Sequence, residues 1–354
     1  MWITSRRNWG VSVVLAGLAF TVAAHAQPAE QFYAGRSLTF YIGSGAGGGY
    51  DVYGRALARH MGQHLPGHPA IVVQNMPGAA GIKLAQYLYN AAPKDGSALG
   101  APYNTTAFQP LLRDQGVKFD SLKLSWIGSM GKHQNICVAW HTTPFTSFDQ
   151  VKQRPMIVAA AGVTGNAAVY PKLFNEMLGT KFKIVTGYDA KEARLAVERG
   201  EAQGICGMSY QTLLASDPAW MQGGKTRVLV QIGLHPHPAL KGVPMVLDMV
   251  KKPEDRHMLE FLMIQQEVGR PIVAPPGVPA DRLAALRRAF DETMKDKAFL
   301  AEAGKLKLQI EPIGGAEMLN LIKRTYDMPK DVIARAKALL ASSPGKAGGK
   351  KKKG

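Results

Sequence analysis

Five glycines, Gly43, Gly45, Gly47, Gly48 and Gly49, crowd in front of Asp51. Glycine leaves backbone N–H groups uncovered. A helix beginning near Tyr50 adds unpaired N–H groups and a partial positive charge, so the stretch suits an anion. Gly43, Gly45 and Gly48 also satisfy G-x-G-x-x-G, a dinucleotide fingerprint. That fingerprint needs an acidic residue at the end of the next strand to hold the ribose. The next strand ends in Gln74-Asn75, which argues against a nucleotide. A second glycine loop, Gly162-Val163-Thr164-Gly165-Asn166, has the same strand-to-helix setting.

Other chemistry is poorly represented. His60, His64 and His68 are four residues apart, but no glutamate follows His60 as H-E-x-x-H requires. The expectation is a solvated helix end. No G-x-S-x-G elbow occurs. Gly224-Lys225-Thr226 resembles the end of a P-loop, but Ala219 stands where its first glycine belongs. Cys137 and Cys206 lie in apolar strand-like segments, and the sequence leaves a disulfide and two buried thiols equally open. No catalytic constellation, cofactor site or metal site is expected, and the chain reads as a binder.

The elements that position these loops follow from periodicity. Ser37–Ile42 is a short apolar strand, and Tyr53, Leu57, Met61 and Leu65 make the buried stripe of the following helix. Ala70–Asn75 and Ala98–Tyr103 complete a β-α-β-α-β run, the start of a doubly wound parallel sheet. Ligands of such sheets sit at the carboxyl ends of the strands. That gathers Ser44–Tyr50, Asn75–Gly78 and Tyr103–Thr106 at one edge. Met156–Ala161 leads into the second glycine loop, and Thr164 or Asn166 is expected to cap a helix carrying Val169, Leu173 and Met177 inward. Phe182–Val185, Ile205–Met208 and Arg227–Ile232 are further strands. Leu259–Ile264 and Pro271–Ala274 are apolar runs, and Asp281 is expected to cap a late helix.

Residues 1–26 read as a secretory signal: Arg6 and Arg7, the apolar run Val13–Val22, then Ala24-His25-Ala26 as a cleavage site. Export makes nucleotide cofactors scarce. The chain of 354 residues carries a formal charge of +17. The two signal arginines and five lysines beyond residue 345 leave the body at about +10, a mild bias toward anions. No basic stripe with interleaved aromatics suggests nucleic acid. From Ser342 the chain is small residues and lysine, a tail expected to be disordered.

Several motifs in order resemble the Bug family, periplasmic receptors of tripartite tricarboxylate transporters. Its P-G-G-G-x-D appears as Ala46-Gly47-Gly48-Gly49-Tyr50-Asp51, and its A-R-x-x-A as Gly54-Arg55-Ala56-Leu57-Ala58. Its V-V-E-N-R-P-G-A-G-G appears as Val72 through Gly81, and its P-D-G-Y-T-L as Lys94 through Leu99. Ala239–Pro244 and Ala274–Pro279 match two later elements. Tyr50 stands where a threonine is usual, and Met76 where an arginine is usual.

The resemblance implies a two-lobed α/β flytrap fold of the periplasmic-binding-protein type, each lobe a doubly wound sheet flanked by helices. Residues 27–127 and 236–342 would form lobe 1, residues 128–235 lobe 2, and 343–354 the tail. It implies carboxylate binding between the lobes by Ser44, Gly45, Ala46, Gly47, Gly48, Tyr50, Asp51, Asn75, Tyr103, Asn104 and Thr105 from lobe 1. Gly162, Val163, Thr164, Gly165, Asn166, Tyr188, Ser209 and Tyr210 would serve from lobe 2. The expected protein is a periplasmic monomer that delivers a di- or tricarboxylate or an aromatic acid to membrane permease subunits. A sensor of the same fold signalling to a kinase, or a secreted α/β enzyme, is the alternative. The ligand and partner stay unnamed by the sequence.

Overall fold

The computed structural model describes residues 1–2, 28–113, 115–160, 165–188 and 190–341. The signal stretch from residue 3, the loop 161–164 and the lysine tail lie outside the described residues.

Two mixed sheets, each flanked by helices, make the two lobes. The first contains β1 (Ser37–Ile42), β2 (Ala70–Asn75), β3 (Ala98–Ala101), β4 (Ser125–Ser129), β10 (Pro271–Ala274) and β11 (Ile313–Gly314) in the order β11-β4-β10-β3-β1-β2. The second contains β5 (Asn135–Trp140), β6 (Met156–Ala160), β7 (Phe182–Thr186), β8 (Gly204–Ser209) and β9 (Thr226–Ile232) in the order β7-β6-β8-β5-β9. The parallel start expected of the β-α-β-α-β run is present, and each sheet is completed by antiparallel strands. β2, β1 and β3 are parallel, but β10 runs antiparallel to β3 and β4. β7, β6 and β8 are parallel, but β5 runs antiparallel to β8 and β9. The reason is topological: β5 and β10 are the strands on which the chain enters or re-enters a sheet after crossing between lobes.

Alternation along β1 buries Leu38, Phe40 and Ile42. The Gly49–Met61 helix lays Tyr53, Leu57 and Met61 on it. Gly54 permits that contact, because a Cβ there would stand 2.7 Å from Ile42 Cδ1. Leu259–Ile264 proves to be part of a helix, Pro253–Glu267, buried on most of its surface. From Met258 to Gln266 every residue but Glu260 is buried, as suits a segment between cores. Met258, Leu259 and Phe261 pack into the second sheet's core, and Ile264 into the first lobe. Val332 and Ala336 of the Lys330–Ala341 helix also join the second core. The 236–342 stretch therefore contributes to both. The Ala280–Thr293 helix has Pro279 at its N-cap, and Asp281 lies in its first turn without capping it.

The chain crosses between sheets at 130–134 and 267–270, and the two crossings lie side by side. Met130 N–H donates to Arg270 O (3.1 Å) and His133 N–H to Gln266 O (2.8 Å). Gly269 is needed there: a Cβ would lie 2.8 Å from the His133 ring. Cys137 and Cys206 are register partners on β5 and β8, both fully buried, and form a disulfide.

Candidate functional site

The loop after β1 is shaped by side chains behind it. Gly47 has φ +77°, a conformation that favours glycine. Its N–H donates to Asp51 Oδ2 (2.9 Å). Asp51 also accepts from Arg55 Nε (3.0 Å) and Asn75 Nδ2 (2.7 Å). Asn75 Nδ2 donates to Ser44 O as well (2.9 Å). Burial opposes ionisation of Asp51, but the hydrogen bonds from Arg55, Asn75 and Gly47 outweigh it and hold the carboxyl below the ordinary range. Asp51, only 3% exposed, and Asn75 thus hold the loop from within. Gly45, Ala46 and Gly47 stay exposed, and a Cβ at Gly45 would meet nothing within 4 Å.

Tyr50 is buried. Its hydroxyl donates to Asn104 Oδ1 (3.1 Å) and accepts from Asn104 N–H (3.0 Å). Its ring centroid lies 4.5 Å from that of Tyr103. Asn104 Nδ2 donates to Gln265 O (3.0 Å), on the interlobe helix. The first loop is thereby coupled to the segment after β3. Thr105 of that segment and Asn166 of the second lobe line one small cavity of about 70 Å³ with Gln109, Tyr170 and Gln265.

The second helix start mirrors the first. Gly48 (φ −75°, ψ 163°) caps the Gly49–Met61 helix, and Gly165 (φ −78°, ψ 160°) caps Asn166–Leu178. Neither helix is closed by a capping side chain. The expected cap at Asn166 is corrected: Asn166 is the first helical residue, and the cap position belongs to Gly165. β8 passes close by, because Gly207 has no Cβ to meet Asn166 O at 2.4 Å. Gly162, Val163 and Thr164 lie outside the described residues.

The remaining second-lobe residues have other occupations. Ser209 Oγ caps the Tyr210–Ser216 helix by accepting from Thr212 N–H (3.2 Å). Tyr210 is buried with its ring 4.9 Å from His237. Tyr188 lines a separate surface cavity with Glu192 and Arg199. The histidine row is not a solvated end. His60 Nε2 pairs with Glu302 (2.7 Å) and His64 Nε2 with Asp296 (2.8 Å), fastening the Gly49–Met61 region to the Lys297–Lys305 helix and its cap. Among the described residues, no group of three His, Cys, Asp or Glu is placed to hold a metal.

Arg270 is a site residue that the sequence reading missed. It is 6% exposed, with its guanidinium over the rings of Tyr50 (4.5 Å) and Tyr53 (4.6 Å). A Cβ at Gly49 would lie 3.4 Å from its Nη2. Its Nε has no hydrogen-bond partner, and among the described residues no carboxylate is ion-paired with it. A buried cation beside the positive end of a helix makes this loop strongly anion-seeking. His133 next to it is held well below the ordinary histidine range, first by burial and then by the Arg270 charge. No local signal marks Arg270, since its partners are brought to it by the crossing between lobes.

Neither a family model nor a curated protein matches the chain. Solved structures do. A TctC solute-binding protein from Polaromonas superposes with a TM-score of 0.66 at 19% identity, covering 86% of this chain and 99% of that one. The periplasmic binding protein BugD gives 0.63 at 18%, over 86% and 98%. MatC from Rhodopseudomonas palustris, with bound malate, gives 0.60 at 18%, over 86% and 99%. The first of these is a solute-binding protein and the second a periplasmic binding protein. With its two helix-flanked sheets and paired crossings, this chain has the fold of the TctC and BugD periplasmic solute-binding proteins.

Proposed function

We propose that this chain is a periplasmic receptor of the Bug type that captures a small carboxylate between its lobes and delivers it to the permease subunits of a tripartite transporter. The observation that carries this reading is the pair of glycine-capped helix starts. Their caps have matching backbone geometry, no side chain closes either helix, and Thr105 and Asn166 line one cavity between lobes. Unpaired N–H groups at a helix start recognise a carboxylate without a counter-charge on the ligand's path. The charge of Arg270 behind the first loop reinforces it. The malate in MatC is in keeping with the same ligand class.

In this reading Ser44–Gly48 and Gly162–Asn166 supply backbone donors, and Tyr103, Asn104 and Thr105 line the first-lobe wall. Tyr50, Asp51 and Asn75 hold that wall in shape. The mature protein begins after residue 26, and lobe 2 spans 128–235 between the two parts of lobe 1. Closure of the lobes traps the ligand, and the closed form is what the permease reads.

A thermal-shift screen of mature protein against mono-, di- and tricarboxylates tests the ligand class. Gly48→Pro and Gly165→Pro test the site. Both positions have φ values that proline adopts. Gly165→Pro removes one N–H donor, and Gly48→Pro removes one that donates to Gly45 O at a long 3.4 Å. Loss of one charge-assisted hydrogen bond, about 1.5–3 kcal/mol, weakens binding roughly tenfold to a hundredfold. Unchanged affinity in both variants would sink the site, and the absence of a shift with any acid would sink the ligand class.

A further inference from the structure

A second, larger cavity opens at the carboxyl ends of β6 and β8, with a volume of about 200 Å³. Its wall is apolar: Ala159, Ala167, Ala193, Ile205, Met208 and Leu213. Two strands, β6 and β8, and the Asn166–Leu178, Ala190–Glu198 and Tyr210–Ser216 helices meet here, with alanine on β6 and on the first two helices. Ala159 and Ala193 are themselves buried, 0% and 3% exposed, among Val138, Val197 and Trp220. Protein interiors are close-packed, so packing alone does not account for a space of this size beside a dense cluster.

The polar groups at the cavity are already occupied. Arg194 is ion-paired with Asp217, and Ser209 Oγ accepts from Thr212 N–H. What the cavity presents to a ligand is therefore apolar surface. An apolar cavity of about 150 Å³ accepts benzene, so this one holds a six-membered ring with one or two further carbons. The position adds a chemical constraint. Ala167 of the wall lies two residues from Gly165, whose helix start is the second-lobe carboxylate donor in the reading above.

We propose that the ligand is a carboxylate with an apolar body of six to eight carbons, a phenyl-bearing acid being the best fit, whose ring fills this cavity while its carboxylate sits at the neighbouring helix start. This rests on the carboxylate-receptor reading and narrows it: short, fully polar di- and tricarboxylates leave the cavity empty.

The test is isothermal titration of the mature full chain with phenylacetate, succinate and citrate. Phenylacetate is expected to bind at least tenfold more tightly than either of the others. Ala193→Leu and, separately, Met208→Phe fill the cavity and are each expected to cut phenylacetate affinity at least tenfold. Met208 is half-buried at the wall, so its variant keeps the test open if Ala193→Leu does not fold. Succinate or citrate binding tighter than phenylacetate, or a folded filling variant with unaltered phenylacetate affinity, overturns the proposal and leaves the carboxylate receptor standing. No binding of any of the three acids overturns both.

Discussion

At the scale of single residues, the first-lobe loop is held by the side chains beneath it. Asp51, Arg55 and Asn75 form a closed set of hydrogen bonds beneath Gly47 and Ser44. The exposed backbone of Gly45–Gly47 is thereby held in one shape, and if the proposed site is right, little ordering is left for a ligand to impose. His133 contributes differently, through proton linkage. Its folded-state pKa is depressed, so the unfolded chain binds the proton more readily. Its contribution to stability is complete above about pH 6.5 and declines as pH falls below that value. Chemical denaturation between pH 7 and 5 is expected to show the loss, and His133→Gln is expected to flatten that part of the profile. Identical slopes in both proteins would refute the assignment. The depressed carboxyls of Asp51 and Glu302 act lower, below about pH 4.

At the scale of elements, the second sheet is tied at its centre. β5 and β8 are antiparallel neighbours, and Cys137 and Cys206 meet across them at a sequence separation of 69. Closing a loop of that length restricts the unfolded chain, with stabilisation on the order of 2–4 kcal/mol. Cys137→Ala with Cys206→Ala should lower the unfolding free energy by that amount in oxidising buffer. A double variant as stable as the parent would mean that the bond contributes nothing. Reduction of the native protein should be slow, because both sulfurs are buried and the sheet must open first.

At the scale of the whole molecule, two adjacent crossings join the lobes, and hydrogen bonds from Met130 and His133 hold them together. Lobe motion is expected to bend 130–134 and 267–270 together, as in hinge closure, with the Lys330–Ala341 helix moving with the second core. Small-angle scattering of the mature protein, with a radius of gyration near roughly 20 Å, should show a measurable decrease on adding a saturating carboxylate. No change at saturation would rule out closure as the binding step.

The sequence by itself determined much of this protein. Local patterns suffice for strands such as Ser37–Ile42 and Ala70–Asn75, where alternation and flanking glycine act within a few residues. They suffice also for the two glycine loops before helices, because a helix start is a local event. The motif order indicated the fold that the neighbours in structure show. Other features were decided only by tertiary structure. Leu259–Ile264 is apolar but for Glu260 because two cores share its helix, a fact that periodicity does not carry. Ser209 and Asp51 have site-like types, yet hydrogen-bonding partners nearby occupy them. Arg270 and the 200 Å³ cavity are assembled from residues far apart in the chain. Such sites depend on which strands become neighbours, and strand adjacency across a crossing is a long-range choice that no local window contains.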